Sequence, residues 1–379
     1  MIWLGLALAG GYEVPYQDVR SGGMGGAGAA VGHPWHNQAG LVGESLITSL
    51  SVTLVRSQLR AQALQVAYDA PWESRTENPL AVVPSLGFSM GGSAWAAGLA
   101  VNVPFAGGVR WPEDWPRRFE VVSSSTRVFR LSPFVGTGFG QLSIAGGPHI
   151  NFASLAVSKA TNHVSEEGFV AMELAGRSIG VHLSLHVDLE PVDLGLVYRS
   201  RSRVSLSGLA DFDVPGAFAA TYPDQAVSSE LVLPDSLVLG LAWGHFRLDV
   251  SVMMWSLNEE QVFDFAESED LVRVNAWQNS VAVRLGAEQP LGPLTVRGGL
   301  YLDGLTGPPV PAETLSPASP DSQRIGLTLG AGRSILDHVE LNASVEHLRL
   351  LQRSSESPDA AQASYIGAAW IVGFGVQTR

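Results

Sequence analysis

The stretch Phe246-Arg247-Leu248-Asp249-Val250-Ser251-Val252-Met253-Met254-Trp255 decides how the chain is read. Successive side chains of an extended strand point to opposite faces. Phe246, Leu248, Val250, Val252 and Met254 therefore share one face, and Arg247, Asp249, Ser251, Met253 and Trp255 share the other. The same period of two runs through 181–188, where Val181, Leu183, Leu185 and Val187 alternate with His182, Ser184, His186 and Asp188. It returns at 281–288, 294–303 and 339–346. Along the chain fourteen such segments are predicted, near 45–57, 81–90, 94–105, 118–136, 140–158, 168–189, 192–208, 228–242, 244–257, 270–288, 293–303, 322–333, 337–350 and 363–378.

Alternation alone also suits a soluble sandwich, so other features decide. The segments reach about ten residues or more, enough to cross a bilayer at a tilt. No helical segment is predicted to cover a sheet, and so many long strands must close on themselves to remove two open edges. Connections alternate in length. Gly91-Gly92, Gly138–Gly140 and Gln289–Gly292 are short; 106–117, 209–227, 259–269, 304–321 and 351–362 are long. Short turns on one side and long loops on the other are the habit of outer-membrane barrels. Trp95, Trp243, Trp255, Trp277 and Trp370 fall at or near strand ends, where interfacial girdles are expected. The fold expected is all-β: a 14-stranded antiparallel transmembrane β-barrel with both ends on the periplasmic side of a Gram-negative outer membrane.

Composition agrees. Charged residues make up 16% of 379, against roughly 25% in a typical soluble domain. Hydrophobic residues are 46%, too many for an intrinsically disordered chain. With 42 Gly and 22 Pro a helical bundle is excluded. The net charge of −13 comes without a basic stripe, so no nucleic-acid partner is expected. There is no cysteine, which excludes disulfides, thiolate metal sites and Cys nucleophiles. Met1–Ala9 is apolar and ends in Ala7-Leu8-Ala9, which reads as a signal-peptide remnant with mature protein from Gly10; a buried first strand is the other reading. Residues 10–43 are rich in Gly and Ala and do not alternate, so they are expected to fold into the lumen as a plug, leaving 44–379 as the barrel.

Several motifs bear on chemistry. Gly23-Met24-Gly25-Gly26-Ala27-Gly28 fits a dinucleotide fingerprint, but no strand precedes it and no long helix follows; a tightly folded backbone inside the barrel is expected instead. His182 and His186 share a face about 13 Å apart, too far for one metal. His33 and His36 have no carboxylate at suitable spacing, so neither metal nor cofactor is expected. Arg130, Arg199, Arg247, Asp249, Arg284, Arg297, Asp303, Glu340 and Glu346 read as compensating lumenal charges, with one or two arginines open to pairing a ligand carboxylate. Trp111, Pro112, Trp115, Pro116, Arg117 and Arg118 form a loop in which exposed Trp contacts ligand, or anchors at the interface with the basic residues facing lipopolysaccharide. Ser, His and Asn show no nucleophile spacing, and no enzyme is expected.

The chain resembles the FadL family of outer-membrane transporters for long-chain fatty acids and other hydrophobic compounds. Ser21–Gly28 followed by His36-Asn37-Gln38-Ala39-Gly40-Leu41 is similar to the family's N-terminal hatch, usually Asn-Pro-Ala at the second site. Val83-Pro84-Ser85-Leu86-Gly87-Phe88 and Ala97–Phe105 resemble its second and third strands. Tyr198-Arg199-Ser200, Leu233-Pro234-Asp235 and Gly367-Ala368-Ala369-Trp370 resemble its central strand, a later strand start and its closing strand. Two departures stand out: Gln38 replaces Pro, and Gln377-Thr378-Arg379 lacks the terminal aromatic common in outer-membrane proteins.

The resemblance implies passive uptake of a hydrophobic small molecule, captured by outer loops and released laterally under control of the hatch. It implies Asn37, Gln38, Ala39 and Gly40 as the gate, set against a third-strand kink and lateral opening at Asn102, Pro104, Phe105, Gly107 and Gly108. Capture falls to Trp111, Trp115, Arg117 and Arg118. Implied partners are the ligand, outer-membrane lipid and lipopolysaccharide, and the barrel-insertion machinery, with the protein a monomer. The rival expectations are a non-transporting scaffold, a secretion or surface-attachment barrel, and a general porin.

Overall fold

A computed structural model describes residues 11–15, 17–64, 72–77, 79–163, 166–356 and 362–378; the expected leader lies outside them. The wall has fourteen strands. These are β1 (Leu46–Ala63), β2 (Ala81–Gly92), β3 (Trp95–Arg110), β4 (Ser123–Phe139), β5 (Leu142–His163), β6 (Glu166–Asp188) and β7 (Val192–Arg199, resuming as Ser202–Asp213). They continue as β8 (Gln225–Leu233, resuming as Asp235–Trp243), β9 (Phe246–Met254, resuming as Glu260–Phe265) and β10 (Leu271–Val274, resuming as Ser280–Leu291). The last four are β11 (Leu294–Asp303), β12 (Arg324–Leu336), β13 (Val339–Ser354) and β14 (Ala363–Thr378). Every pairing is antiparallel between neighbours, and β14 closes on β1 from Thr48↔Thr378 to Ala63↔Ala363. A short segment, Glu73–Arg75, adds to the outer end of β1.

The polarity is inverted relative to a soluble protein. On β1, Leu50 and Val52 are exposed, while Ser49, Ser51, Thr53 and Ser57 are buried. Val135, Ile179, Leu183, Leu239, Leu327 and Phe374 continue the exposed apolar band around the wall. Alternation selects which edge of each residue meets lipid, and hydrocarbon, having no hydrogen bonds to offer, accepts only the apolar one. Pro234 has no N–H to give the ladder and interrupts β8. The next residue, Asp235, caps the break by accepting from the Tyr198 hydroxyl at 2.6 Å and from Arg201 N–H at 3.0 Å.

Two expectations about the wall are corrected. The stretch 259–269, expected as a loop, carries strand at Glu260–Phe265, which pairs with Leu271–Val274 and, through Phe263–Phe265, with Val227–Ser229. Glu260, Gln261 and Asp264 break up the apolar residues of that stretch, so its strand signal in the sequence is weak. Trp95, Trp243 and Trp370 are exposed on the wall, but Trp255 and Trp277 are buried. Residues 255–259 and 275–279 interrupt β9 and β10, and the 3₁₀ turn Trp255–Leu257 carries its indole out of the wall face.

The described residues between 11 and 43 are hydrogen-bonded to inward-facing groups around the wall. Gly25 N–H donates to Thr328 Oγ1 on β12 at 2.9 Å. Gly28 and Ala29 N–H both donate to Asp249 Oδ2 on β9, at 2.9 and 3.0 Å. Ala39 N–H donates to Ser184 Oγ on β6 at 3.1 Å. One helical turn, Val19–Gly22, is capped by Asp18, whose carboxylate accepts from Ser21 N–H. The backbone of this segment lies directly on the wall. A side chain at Gly195 would overlap the Ala29 carbonyl, and one at Gly286 or Gly299 would overlap Met24. Glycine at these inward positions is what leaves room for a second layer of backbone.

Gly195→Val is therefore expected to unseat the segment while the barrel still forms, at a cost of about 1–3 kcal/mol from overpacking. Ala27 is fully buried, and the chain has no native thiol. Maleimide labelling of an Ala27→Cys variant checks it: labelling should be slow with Gly195 and fast with Val, while both proteins keep the mobility shift between unboiled and boiled samples.

Candidate functional site

Pairing of β2 with β3 runs from Gly92↔Trp95 to Leu86↔Val101 and stops there. Above that point Ala81–Ser85 stays paired with β1, and Phe105–Arg110 stays paired with β4. The two strands part, and β3 is left with a free edge. On its other side β3 bulges: Asn102 faces Arg130 and Phe105 faces Val128, one residue too many on β3. Pro104 sits in the bulge.

The free edge is covered from inside by the start of the N-terminal segment. Val14 N–H donates to the Pro104 carbonyl at 2.9 Å, and Ala106 N–H donates to the Tyr12 carbonyl at 2.8 Å. Asn102 Nδ2 donates to Gln17 Oε1 at 2.6 Å, and Gln17 Nε2 donates to the Val103 carbonyl at 3.3 Å. Four hydrogen bonds, two between backbones, thus seat this short strand on β3.

Tyr12 also centres an aromatic cluster. Its ring lies 5.3 Å from Trp255 and 5.1 Å from Trp277, those indoles are 5.1 Å apart, and Phe105 stands 5.9 Å from Trp255. Burial pushes the Tyr12 phenol up to about 12, against the pull of Arg273 and a hydrogen bond with Asn258, so it stays neutral. Two cavities meet at this cluster. An outer one of about 50 Å³ is lined by Tyr12, Gly107, Gly108, Leu155, Phe263 and Val310. An inner one of about 70 Å³ is lined by Glu13, Trp35, Phe105, Arg130, Arg199 and Arg284.

The lumenal charges divide in two. Arg297 pairs with Glu288 and Glu340, each at 2.6 Å, and Arg324 pairs with Asp303, which is the mutual compensation expected. Arg130 and Arg199 differ. Arg130 donates to Asn151 Oδ1 at 2.7 Å and lies 5.5 Å from the Phe105 ring. Arg199 donates to the Trp35 carbonyl at 2.6 Å and lies 4.1 Å over the Trp35 ring. Among the described residues no carboxylate forms an ion pair with either; the nearby Glu13 pairs instead with Arg284 and Arg324, at 3.9 Å each.

The expected site residues fall into three places. Asn102, Pro104, Phe105, Gly107 and Gly108 are at the bulge and the two cavities. Asn37, Gln38, Ala39 and Gly40 are not set against them, which corrects the expected placement. Asn37 Nδ2 donates to the Ala29 carbonyl and to the Leu185 carbonyl on β6, at 2.7 and 2.9 Å. The following Leu41 packs with Ile47, Ala96 and Phe134 toward the periplasmic rim, and this apolar anchor draws the turn away from the β3 bulge. Gln38 has φ of −71°, which proline could adopt, and its side-chain amide donates to the Pro34 carbonyl at 2.8 Å.

The loop tryptophans are also corrected. Trp111 and Trp115 are 0% and 2% exposed, stacked at 4.5 Å with 12° between planes. Trp111 Nε1 donates to the Pro317 carbonyl at 3.1 Å, and Trp115 Nε1 to the Val121 carbonyl at 2.7 Å. They are the core of a cap formed with the proline-rich loop, where burial of two indoles outweighs exposure to a ligand. Arg117 pairs with Glu120 and Arg118 with Glu167. His182 stacks at 6.3 Å on His149 of the neighbouring strand, not on His186. His36 does find a carboxylate, Asp18 Oδ2 at 2.7 Å, contrary to expectation, because the segment folds back on itself. Tyr12, Glu13, Gln17 and Trp35 were not singled out from sequence, since no periodic pattern marks them.

Comparison with known proteins places this geometry. Residues 3–379 match the family described as outer membrane protein transport protein (OMPP1/FadL/TodX). The fold is shared with the crystal structure of a Pseudomonas aeruginosa FadL homologue, with a TM-score of 0.85 and 15% identity over 97% of this chain and 99% of that one. It is shared with the Pseudomonas putida toluene transporter TodX (TM-score 0.72, 16% identity, 97% and 99% covered). The Ralstonia pickettii toluene transporter TbuX is also similar (TM-score 0.70, 16% identity, 96% and 98% covered). No curated protein sequence matches. A fourteen-stranded outer-membrane barrel matched over nearly its whole length by a family of transport proteins rather than enzymes, the chain belongs to the OMPP1/FadL/TodX family.

Proposed function

We propose that the protein carries hydrophobic small molecules passively across the outer membrane, releasing them sideways between β2 and β3. The observation that supports this reading is the free β3 edge, which between Asn102 and Ala106 is held by Tyr12, Val14 and Gln17 of the N-terminal segment. A lipophilic solute is slowed by the polar lipopolysaccharide leaflet and gathers in the outer cavity. Passage to the inner cavity requires the Tyr12 ring to leave Trp255 and Trp277. Withdrawal of the segment gives up four hydrogen bonds, about 4 kcal/mol in all at about 1 kcal/mol each. Burying about 160 Å² of solute returns about 4 kcal/mol. That area corresponds to one aromatic ring or a modest alkyl chain, which offsets the hydrogen bonds but not the lost Tyr12 contacts with Trp255 and Trp277, so larger apolar solutes open the seam more readily.

Arg130 and Arg199 narrow the ligand class. Two buried guanidiniums with no acidic partner among the described residues, beside an apolar ring system, suit a lipophilic carboxylic acid whose head accepts their remaining N–H groups. A long-chain fatty acid has this chemistry. The asparagine turn at Asn37–Gly40 acts as the fixed end of the hatch on β6, and the segment before it moves. The barrel works as a monomer, placed in the membrane by the barrel-insertion machinery.

Glu13 and Phe105 are bridge partners, so a Glu13→Cys/Phe105→Cys disulfide in this cysteine-free chain locks the seam. Uptake of labelled oleate by cells should fall to background when the pair is oxidised and recover with reductant. Unchanged uptake in fully crosslinked protein would sink the lateral route, and uptake independent of the protein altogether would favour a scaffold.

Arg199→Gln should weaken oleate binding about tenfold, the worth of one charge-assisted hydrogen bond. Binding of a neutral hydrocarbon such as toluene should stay level. Equal losses for both ligands in a titration of the purified protein would remove the carboxylate assignment.

A further inference from the structure

We propose that the hatch contains a divalent transition-metal site formed by Asp18, His33 and His36, of a kind suited to Zn²⁺. Each residue offers a ligand atom, and the three atoms lie within 4.8 Å of one another. Two nitrogens and one carboxylate oxygen, with a fourth position left for water, make a common zinc donor set. The folding of the segment brings them together. Asp18 is held by its cap on the Val19–Gly22 turn. His33 and His36 are brought side by side by a tight turn in which His33 N–H donates to the Asn37 carbonyl at 3.1 Å, leaving their rings 5.3 Å apart.

A second observation points to a missing ligand. His33 is 8% exposed, and its Nε2 is buried with no hydrogen-bond partner. A buried polar atom without a partner costs about 1–3 kcal/mol, and a metal ion at Nε2 removes that cost once the ring proton has moved to Nδ1. The atom borders a cavity of about 20 Å³ shared by Asp18, Ser21, His33 and His36, room for one water or one ion. Of the neighbouring cations, Arg20 is already neutralised by Glu288 at 2.8 Å, and Arg247 lines the cavity from the wall.

Metal binding requires three local changes, the first being that His36 Nε2 gives up its 2.8 Å hydrogen bond with Ser21 Oγ. Asp18 Oδ2 and His36 Nε2 now share a hydrogen bond of 2.7 Å. Two donors on a tetrahedral Zn²⁺ stand about 3.3 Å apart, so this pair must open by about 0.6 Å. Trp35 N–H donates to His33 Nδ1 at 3.1 Å, which places the ring proton on Nε2. An ion at Nε2 moves that proton to Nδ1 and releases the Trp35 amide. Trp35 is the ring beneath Arg199, so the ion couples to the inner cavity while tying residue 18 to residues 33 and 36. Zinc thereby holds the hatch in its folded form.

The test uses the full-length, tag-free protein in detergent after chelator dialysis. Titration with ZnCl₂ in a calorimeter should show one saturable site, and Co²⁺ should give tetrahedral visible absorption bands that Zn²⁺ removes. His33→Gln and Asp18→Asn should each weaken binding by roughly tenfold or more. His149→Gln, which alters a buried histidine outside the cluster, should bind as the parent does. The gel shift between unboiled and boiled samples reports that each barrel is folded. Absence of a saturable Zn²⁺ site in the folded parent, or undiminished binding in either folded cluster variant, overturns the proposal.

Discussion

Everything in this structure depends on the backbone hydrogen bond in a place without water. Within hydrocarbon an unpaired N–H or C=O costs several kcal/mol, so a membrane sheet must close and every edge must be covered. Thirteen hairpin pairings and the β1–β14 seam meet that demand along the wall. One place breaks the rule. Above Leu86↔Val101 the β2–β3 ladder stops, and the exposed edge of β3 is satisfied by a piece of chain from inside the barrel. Such a cover can be removed without unravelling the wall, because the strands on either side keep their outer partners, β1 and β4.

The second constraint is space. A lumen crossed by more than thirty residues of backbone has no room for side chains at every inward position. Gly195, Gly240, Gly286 and Gly299 supply smooth floor where Met24 and Ala29 press against the strands. Elsewhere the inward residues hold the segment by polar bonds: Asp249 takes two amides and Thr328 takes one. These anchors surround the part of the segment that includes Asp18, His33 and His36. The part that meets β3 is held differently, by a few hydrogen bonds and an aromatic cluster bordered by cavities. Anchoring is thus strong at one end of the segment and weak at the other.

Several features were legible before any fold was in hand. Leu248, Val250 and Val252 alternating with Asp249 and Ser251 showed strand and showed which side met lipid, because period two is a local property of the backbone. The bulge region was marked by Pro104, Gly107 and Gly108, residues that disturb a ladder wherever they occur. Other readings failed for one reason, the loss of sequence distance as a guide. Trp111 is buried by Pro317, about two hundred residues away, so a loop indole could not be told from an exposed one. Asp18 reaches His36 only because the intervening glycines let the segment fold back. Asn37 followed its anchor to β6, which no motif at Asn37 itself records.

The amino-acid sequence by itself determined the strand count, the inverted polarity and the enclosed N-terminal segment's composition, since each follows from side-chain alternation, residue size and the chemistry of lipid. The tertiary structure decided which part of that segment covers the β3 edge, which arginines are paired with acids, and which histidines find a carboxylate. Those are matters of contact between residues far apart in the chain, and a local pattern carries no information about what closure of a barrel brings to face it.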